Sequence, residues 1–237
     1  MSTTLIIIIV VIAFLLLLCF LLAIANFAYE KFFDSYKIMD NESIDKNMSS
    51  IDFFNFLNNK YFAGKISIVT IQKLGFDAYS NKTLYLSTNT QSNSSVASFS
   101  IIAHEMGHAM QDKNSKKLKH FAFLKYFGKI LGFFLMPLFI ASIILMFAVE
   151  GLFYYGVACL AGSVLIFLLA LFLKIRIIAI EKEASKIALK YLNEVLDKEQ
   201  VGLCKKFLND ARLSYWADFL NTLLAWTFMT KKNKLFG

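Results

Sequence analysis

Two histidines stand four residues apart in the segment Ala103-His104-Glu105-Met106-Gly107-His108, and a glutamate follows the first of them. On a helix, residues i and i+4 lie one above the other on the same face, so both imidazoles can bind one zinc ion. Zinc lowers the pKa of a bound water to about 7, and a glutamate beside the first histidine can act as its general base. The spacing therefore predicts zinc-dependent hydrolysis, with His104 and His108 as ligands and Glu105 as base.

A catalytic zinc site needs a third protein ligand, and the residues leave its identity open. A longer form of the motif would place a histidine at position 114, but the chain has Asn114 there. The remaining histidine, His120, lies in a lysine-rich stretch before an apolar segment. Glu181 and Glu183 open a helical segment directly after another apolar segment. The candidates are therefore His120 and one of these two carboxylates.

The region before the motif is predicted to be a small α+β unit that ends in the helix carrying both histidines. Alternating apolar and polar residues predict strands, and the serines before Val96 can cap the helix, which we expect to run to about Asp112. The predicted order is a helix at 50–63, a strand at 66–71, a turn at 75–82, a strand at 83–87 and a flexible serine-rich rim at 87–95.

Three apolar segments are long enough to cross a bilayer, which takes about 20 helical residues. They cover 5–27, 130–149 and 151–173, and Glu150 alone separates the second from the third. Hydrophobic residues make up 57% of the 237 residues and charged residues only 18%, against about 25% charged in a soluble domain. The predicted fold class is a mainly α-helical integral membrane protein, a transmembrane helix bundle with a small α+β catalytic part.

These segments predict how the chain is divided. We expect a transmembrane anchor at 1–29, an α+β part at 30–127, a transmembrane helical hairpin at 128–173 and C-terminal helices at 174–237. The anchor is expected to be retained rather than cleaved as a signal peptide, because no Lys or Arg precedes its long apolar run. A further apolar stretch at 213–229 is short, contains Asp218 and is followed by lysines. We therefore expect it to pack on the bundle or lie at the interface rather than to span the membrane.

The basic residues predict which side of the membrane each region faces. Every Lys and Arg lies between Lys31 and Lys129 or after Leu173. Because basic residues near span ends stay in the cytoplasm, the α+β part and the C-terminal helices are expected there, with Glu150 outside. The net charge of +8 is explained by this bias. Nucleic acid is not an expected partner, because the basic residues form no compact patch and match no nucleic-acid motif.

Two further pieces of sequence accompany the motif segment Ala103-His104-Glu105-Met106-Gly107-His108-Ala109-Met110-Gln111: the strand-turn-strand region at 75–87 and Glu181-Lys182-Glu183-Ala184-Ser185. Together they resemble the bacterial neutral zinc metallopeptidases called YugP-like, within the membrane zincins whose third ligand is a glutamate beyond a transmembrane hairpin. The resemblance implies a zincin-like α+β part, Zn²⁺ held by His104, His108 and Glu181, and Ser185 as a residue that supports a ligand. Gln111, on the helix face of the two histidines, is a second such candidate.

The chain departs from that family at two places. Asp77-Ala78-Tyr79-Ser80 stands where the family has Asp-His-Tyr-Asp, and Lys182 replaces an aromatic residue after the ligand glutamate. Neither change removes a ligand, but both leave open which group stabilises the transition state. The candidate donors are Tyr79, His120 and Tyr215.

The function implied is hydrolysis of peptide bonds by a multi-pass protein of the bacterial cell membrane, with the active site facing the cytoplasm. Its expected partners are a peptide or membrane-protein substrate and the lipid bilayer, and the strand at 83–87 is the expected rim strand on which an extended substrate pairs. The main alternative is an inactive membrane scaffold that retains the fold. A transporter is disfavoured because the spans carry no charge and only one proline. A zinc store or sensor is disfavoured because the chain has only three His and three Cys.

Overall fold

The structure is a computed structural model that describes residues 3–44, 48–72, 77–114 and 117–223. Within these ranges, the side chains of residues 3, 4, 7, 117–120 and 218–223 lie outside the description. The described residues form seven helices and one three-stranded sheet. In chain order these are α1 (Thr3–Asn41), α2 (Ser50–Phe62), β1 (Ser67–Ile71), β2 (Ala78–Ser80), β3 (Thr83–Ser87), α3 (Thr88–Ser92), α4 (Val96–Asn114), α5 (Lys117–Phe147), α6 (Phe153–Asn193) and α7 (Lys198–Leu223).

Three of the described helices are long and apolar enough to cross a membrane, which confirms the predicted fold class. They are α1, α5 and α6, and the last two form a hairpin whose turn contains Glu150 and Gly151. Gly151 has φ of +80°, a backbone conformation that residues with a Cβ rarely adopt. The predicted hairpin is therefore closed by a glycine next to the single charged residue.

Two of these helices continue far beyond the membrane segments that the sequence predicts. Helix α1 has 39 residues and α6 has 41, so each is about 60 Å long, twice the roughly 30 Å of the hydrocarbon layer. Helix α1 runs past the predicted anchor to Asn41, and α6 crosses the predicted division at 173–174 without a break. Both helices thus join the apolar bundle rigidly to the part that carries the histidines.

The sheet has the order β1-β3-β2, with β1 parallel and β2 antiparallel to the central strand. The predicted strands at 66–71 and 83–87 are confirmed as β1 and β3. Strand β2, however, lies inside the segment predicted as a turn. Asn81 and Lys82, with φ of 48° and 61°, make a two-residue hairpin turn between β2 and β3. Both residues lie within the predicted turn, so that part of the prediction is confirmed, whereas the three residues before them form a strand.

The serine-rich stretch predicted to be a flexible rim contains helix α3 instead. The hydroxyl of Ser87 caps this helix by accepting a hydrogen bond from the backbone N–H of Thr90 at 3.2 Å. The prediction that the last serines cap the motif helix is confirmed, because Ser95 Oγ accepts a hydrogen bond from the N–H of Ser98 at 3.2 Å. Asp40, near the end of α1, accepts hydrogen bonds from the side chains of Asn89, Asn93 and Ser95 and ties this capping region to the long helix.

Most of the buried apolar side chains among the described residues belong to two clusters. One lies outside the predicted spans and includes Phe53 of α2 and Phe99 of α4, whose rings stack at 4.8 Å. The other lies among α1, α5 and α6 and includes Phe14 and Phe139, whose rings are 5.0 Å apart. Helix α6 contributes to both clusters, so it links the apolar bundle to the core beneath the motif helix.

Helix α7 packs along the bundle. Its residues 213–223 are the first part of the apolar stretch predicted at 213–229, and Ala217 is fully buried in the cluster that contains Phe14 and Phe139. This supports packing on the bundle for the described part of the stretch, and residues 224–229 lie outside the described ranges.

Candidate metal centre

Helices α4 and α6 bring three ligand atoms to one point. His104 Nε2 and His108 Nε2 each lie 3.1 Å from Glu181 Oε2. All three side chains are buried, with exposed fractions of 8%, 6% and 2% respectively. Within the described part of the chain, these residues are the group of His, Cys, Asp and Glu side chains whose ligand atoms lie close enough to share a metal ion.

A glycine allows the two helices to approach this closely. A Cβ placed on Gly107 of α4 would lie 2.5 Å from the backbone carbonyl oxygen of Ala184 in α6. Ala184 is itself fully buried and lies three residues after Glu181. The glycine between the two motif histidines therefore sets the distance between the helix that carries the imidazoles and the helix that carries the carboxylate.

Gln111 determines the protonation pattern of the His108 ring. The amide Nε2 of Gln111 donates to the carbonyl of Ile180 at 2.9 Å and to Glu183 Oε2 at 3.3 Å. Its Oε1, which can only accept, lies 2.9 Å from His108 Nδ1, so Nδ1 carries the proton. A neutral His108 ring then presents the lone pair of Nε2 to Glu181, which is the tautomer that a metal ligand needs.

His104 has two neighbours of its own. Ser185 Oγ lies 3.2 Å from His104 Nδ1, one helical turn after Glu181. The hydroxyl of Tyr215, on α7, lies 3.3 Å from His104 Nε2, on the side of the ring that faces the ligand cluster. The structure therefore brings Gln111, Ser185 and Tyr215, all predicted from the sequence, into contact with the two histidines.

Glu105 points toward strand β2. Its Oε2 accepts a hydrogen bond from the backbone N–H of Tyr79 at 2.8 Å, which holds the carboxylate in place. Burial raises the pKa of the Glu105 carboxyl. The Tyr79 side chain turns elsewhere, because its hydroxyl donates to Asp112 at 2.9 Å and burial raises its pKa to about 12.

The sequence of the chain matches the family described as Putative neutral zinc metallopeptidase over residues 6–230. The chain belongs to this family. The match includes His104, His108 and Glu181 and nearly all of the three long apolar helices. It agrees with the family resemblance found in the sequence. No curated protein and no solved structure matches the chain.

The donor set fits the zinc that the family name implies. Two imidazole nitrogens and one carboxylate oxygen are a frequent three-ligand set for catalytic zinc. With the proton of His108 on Nδ1, its Nε2 and Glu181 Oε2 are two acceptors only 3.1 Å apart. Two such acceptors repel each other in a buried site unless a proton or a metal ion lies between them. The cluster thus has both the ligand types and the electrostatic need for a cation.

Sequence reasoning missed Lys125 and Phe121, which α5 places against the cluster. Lys125 Nζ lies 3.5 Å from Glu181 Oε1, the carboxylate oxygen that does not face the histidines. The same ammonium lies 4.0 Å from the centre of the Phe121 ring, and that ring stacks on His108 at 5.7 Å. In the sequence, the lysines before the predicted hairpin indicate sidedness, and no pattern links Lys125 to Glu181.

The remaining candidates have different positions. Glu183, a candidate third ligand, is half-buried and accepts a hydrogen bond from Gln111, so it supports His108 indirectly. The side chain of His120 lies outside the described residues. The prediction that an extended substrate pairs with β3 is wrong, because β3 is the central strand and both of its edges are already occupied by β1 and β2.

Proposed function

We propose that this chain is a zinc-dependent peptidase embedded in a bacterial membrane. The observation that carries the proposal is the convergence of His104 Nε2, His108 Nε2 and Glu181 Oε2 from two helices, although 73 residues separate His108 from Glu181 in the sequence. His104, His108 and Glu181 would hold the metal. Family membership supports the same class of reaction.

Zinc, when bound, lowers the pKa of a water and polarises a carbonyl group. The side chains of this chain supply the rest of the reaction. Glu105, held by the Tyr79 amide, accepts a proton from the attacking water and passes it to the amine that leaves when the C–N bond breaks. Its raised pKa brings it closer to neutrality, where a group can both take and return a proton.

Tyr215 is the proposed donor to the oxyanion of the transition state. Its hydroxyl lies beside His104 Nε2, within the ligand cluster, whereas the Tyr79 hydroxyl is engaged with Asp112. A donor that faces the developing negative charge stabilises the transition state more than the ground state. Gln111 and Ser185 act on the metal through the histidines, by holding each ring in the orientation and tautomer that bind it.

The site is proposed to face the cytoplasm. Lys and Arg are absent before the apolar part of α1 and from the α5–α6 turn, and basic residues near span ends stay in the cytoplasm. The α+β part, the C-terminal end of α6 and the N-terminal end of α7 would then share the cytoplasmic side. A ligand cluster built from α4 and α6 requires this arrangement.

The test is metal content together with hydrolysis of an unfolded protein by the detergent-purified chain. We expect one zinc ion per chain in the wild type and a large loss in Glu181→Ala. The matched variant Glu183→Gln, which keeps an acceptor for Gln111, should retain the metal. Zinc retained in Glu181→Ala would contradict the ligand assignment and direct the search to His120 or Glu183.

Glu105→Gln separates a peptidase from an inactive scaffold. It should keep zinc and lose hydrolysis, because the amide cannot take a proton from water. A purified Glu105→Gln chain with full activity would refute the proposed base. A zinc-loaded wild type that cleaves neither a soluble unfolded protein nor one anchored in the membrane would favour the scaffold.

A further inference from the structure

We propose that the substrates are membrane proteins, cut in the short segment that adjoins one of their membrane spans. This inference rests on the proposed function, and it names the substrate class for the same site. The inference follows from the short distance between the ligand cluster and the membrane surface. Helices α6 and α5 give two separate estimates of that distance.

Helix α6 gives the first estimate of that distance. The apolar segment predicted to cross the membrane ends at Leu173, and Glu181 follows eight residues later on the same unbroken helix. At 1.5 Å per residue, Glu181 lies about 12 Å along the helix from the end of the apolar segment. Any tilt of the helix brings it closer to the membrane plane.

Helix α5 gives the second estimate. Its apolar segment begins at Ile130, and Lys125 precedes it by five residues, or about 7–8 Å. The Lys125 ammonium is 3.5 Å from Glu181, so the two estimates refer to one place. The headgroup layer on each side of a bilayer is about 5–7 Å thick. The cluster therefore lies at the inner boundary of the headgroups and not deep in the cytoplasm.

The side chains around the cluster come from the same membrane-crossing or membrane-packed helices. Phe121 and Lys125 approach it from α5. Tyr215 approaches it from α7, two residues before Ala217, which packs in the apolar cluster among α1, α5 and α6. Phe123 and Tyr126, next to Lys125, are 63% and 67% exposed. Exposed aromatic residues flanking a charged one are typical of the membrane interface, where their rings sit among the headgroups.

A site at this depth limits which peptide bonds can enter it. An extended chain covers about 3.3–3.6 Å per residue, so two to four residues beyond a span are enough to reach the cluster. A bond in a juxtamembrane segment is thus presented at high local concentration, while a bond held far from the bilayer is kept away from the site. We therefore expect the cleaved bonds to lie within about ten residues of the end of a membrane span.

The experiment uses the full chain, zinc-loaded and reconstituted in liposomes with three probes. The first is a Leu/Ala span of about 20 residues followed directly by an unfolded casein segment. The second has a rigid helical spacer of about 20 residues, which moves the same segment roughly 30 Å away from the bilayer. The third is the casein segment alone. Mass spectrometry identifies the cut positions, and liposomes with Glu105→Gln identify cleavage by any contaminant.

The expected result is cleavage of the directly attached segment at least about tenfold faster than of the spaced segment, because only the former has a high effective concentration at the site. The directly attached probe and the spaced probe are both anchored in the membrane. A difference between their cleavage rates therefore depends on the distance of the segment from the bilayer and not on the anchoring itself. Equal rates for all three probes would overturn this inference while leaving a peptidase. No cleavage of any probe by the zinc-loaded chain would overturn the proposed function and this inference with it.

Discussion

Gly107→Ala is expected to disrupt the metal centre without changing any ligand. The added Cβ would lie 2.5 Å from the Ala184 carbonyl oxygen, 3.1 Å from its carbonyl carbon and 3.2 Å from its Cα. A carbon and a carbonyl oxygen come no closer than about 3.3 Å in ordinary packing. Because the obstructing atoms are helix backbone, α4 and α6 must separate by about 0.8 Å to remove the overlap.

That separation exceeds what a metal site tolerates. Ligand distances must stay within about 0.2 Å of their ideal values, and Glu181 lies less than one turn from Ala184. We therefore expect zinc affinity to fall by about 100-fold or more, the upper end of what loss of supporting interactions costs. Overpacking should also lower the free energy of unfolding by about 1–3 kcal/mol, offset in part by the better helix propensity of alanine.

The assay is zinc binding by competition with a chelator of known affinity, with thermal unfolding in the same detergent. Gly202→Ala is the matched control, because Gly202 lies within α7 and a Cβ there would meet nothing within 4 Å. The control should bind zinc as the wild type does and unfold at the same or a higher temperature. Wild-type zinc affinity in Gly107→Ala would refute the close approach of α4 and α6 on which the whole cluster depends.

Three further outcomes are expected. Gln111→Ala and Ser185→Ala should each lower zinc affinity about 10–100-fold in the same competition assay, because each frees a histidine ring to rotate; unchanged affinity would show that these contacts do not orient the ligands. Tyr215→Phe should keep its zinc and lose about 10²–10³-fold in kcat, as expected for a transition-state donor; a change in KM alone would argue against that role. After replacement of the native cysteines, a cysteine at Glu150 should react with a membrane-impermeant maleimide on whole cells, and one at Val69, which is 43% exposed, should not. The reverse labelling would invert the proposed orientation.

The amino-acid sequence by itself determined the features that depend on local periodicity. The two motif histidines share a helix face because of their spacing, the apolar runs are long enough to span, and alternation identified β1 and β3. Local capping chemistry also predicted where α4 begins, at Val96. These features need only neighbouring residues, so no knowledge of the packing was required to predict them.

Tertiary packing decided which distant residues meet at the metal centre. Residues alone left His120, Glu181 and Glu183 open as the third ligand, and a family resemblance was needed to choose Glu181. The contact of Lys125 with Glu181 and the hydrogen bond from the Tyr79 amide to Glu105 join segments far apart in the sequence. No periodic pattern encodes such pairs, because they depend on where helices cross and how closely they approach.

The same reason explains the errors made from the sequence. Strand β2 is three residues long and exists because it pairs with β3, so its residues alone resembled a turn. The central position of β3, which excludes it as a substrate rim, is a property of the sheet and not of the strand. Helix α4 meets α6 at a distance that Gly107 allows and Ala184 sets. The residue types thus define what chemistry is available, and the approach of two helix backbones decides whether the ligand atoms share one point.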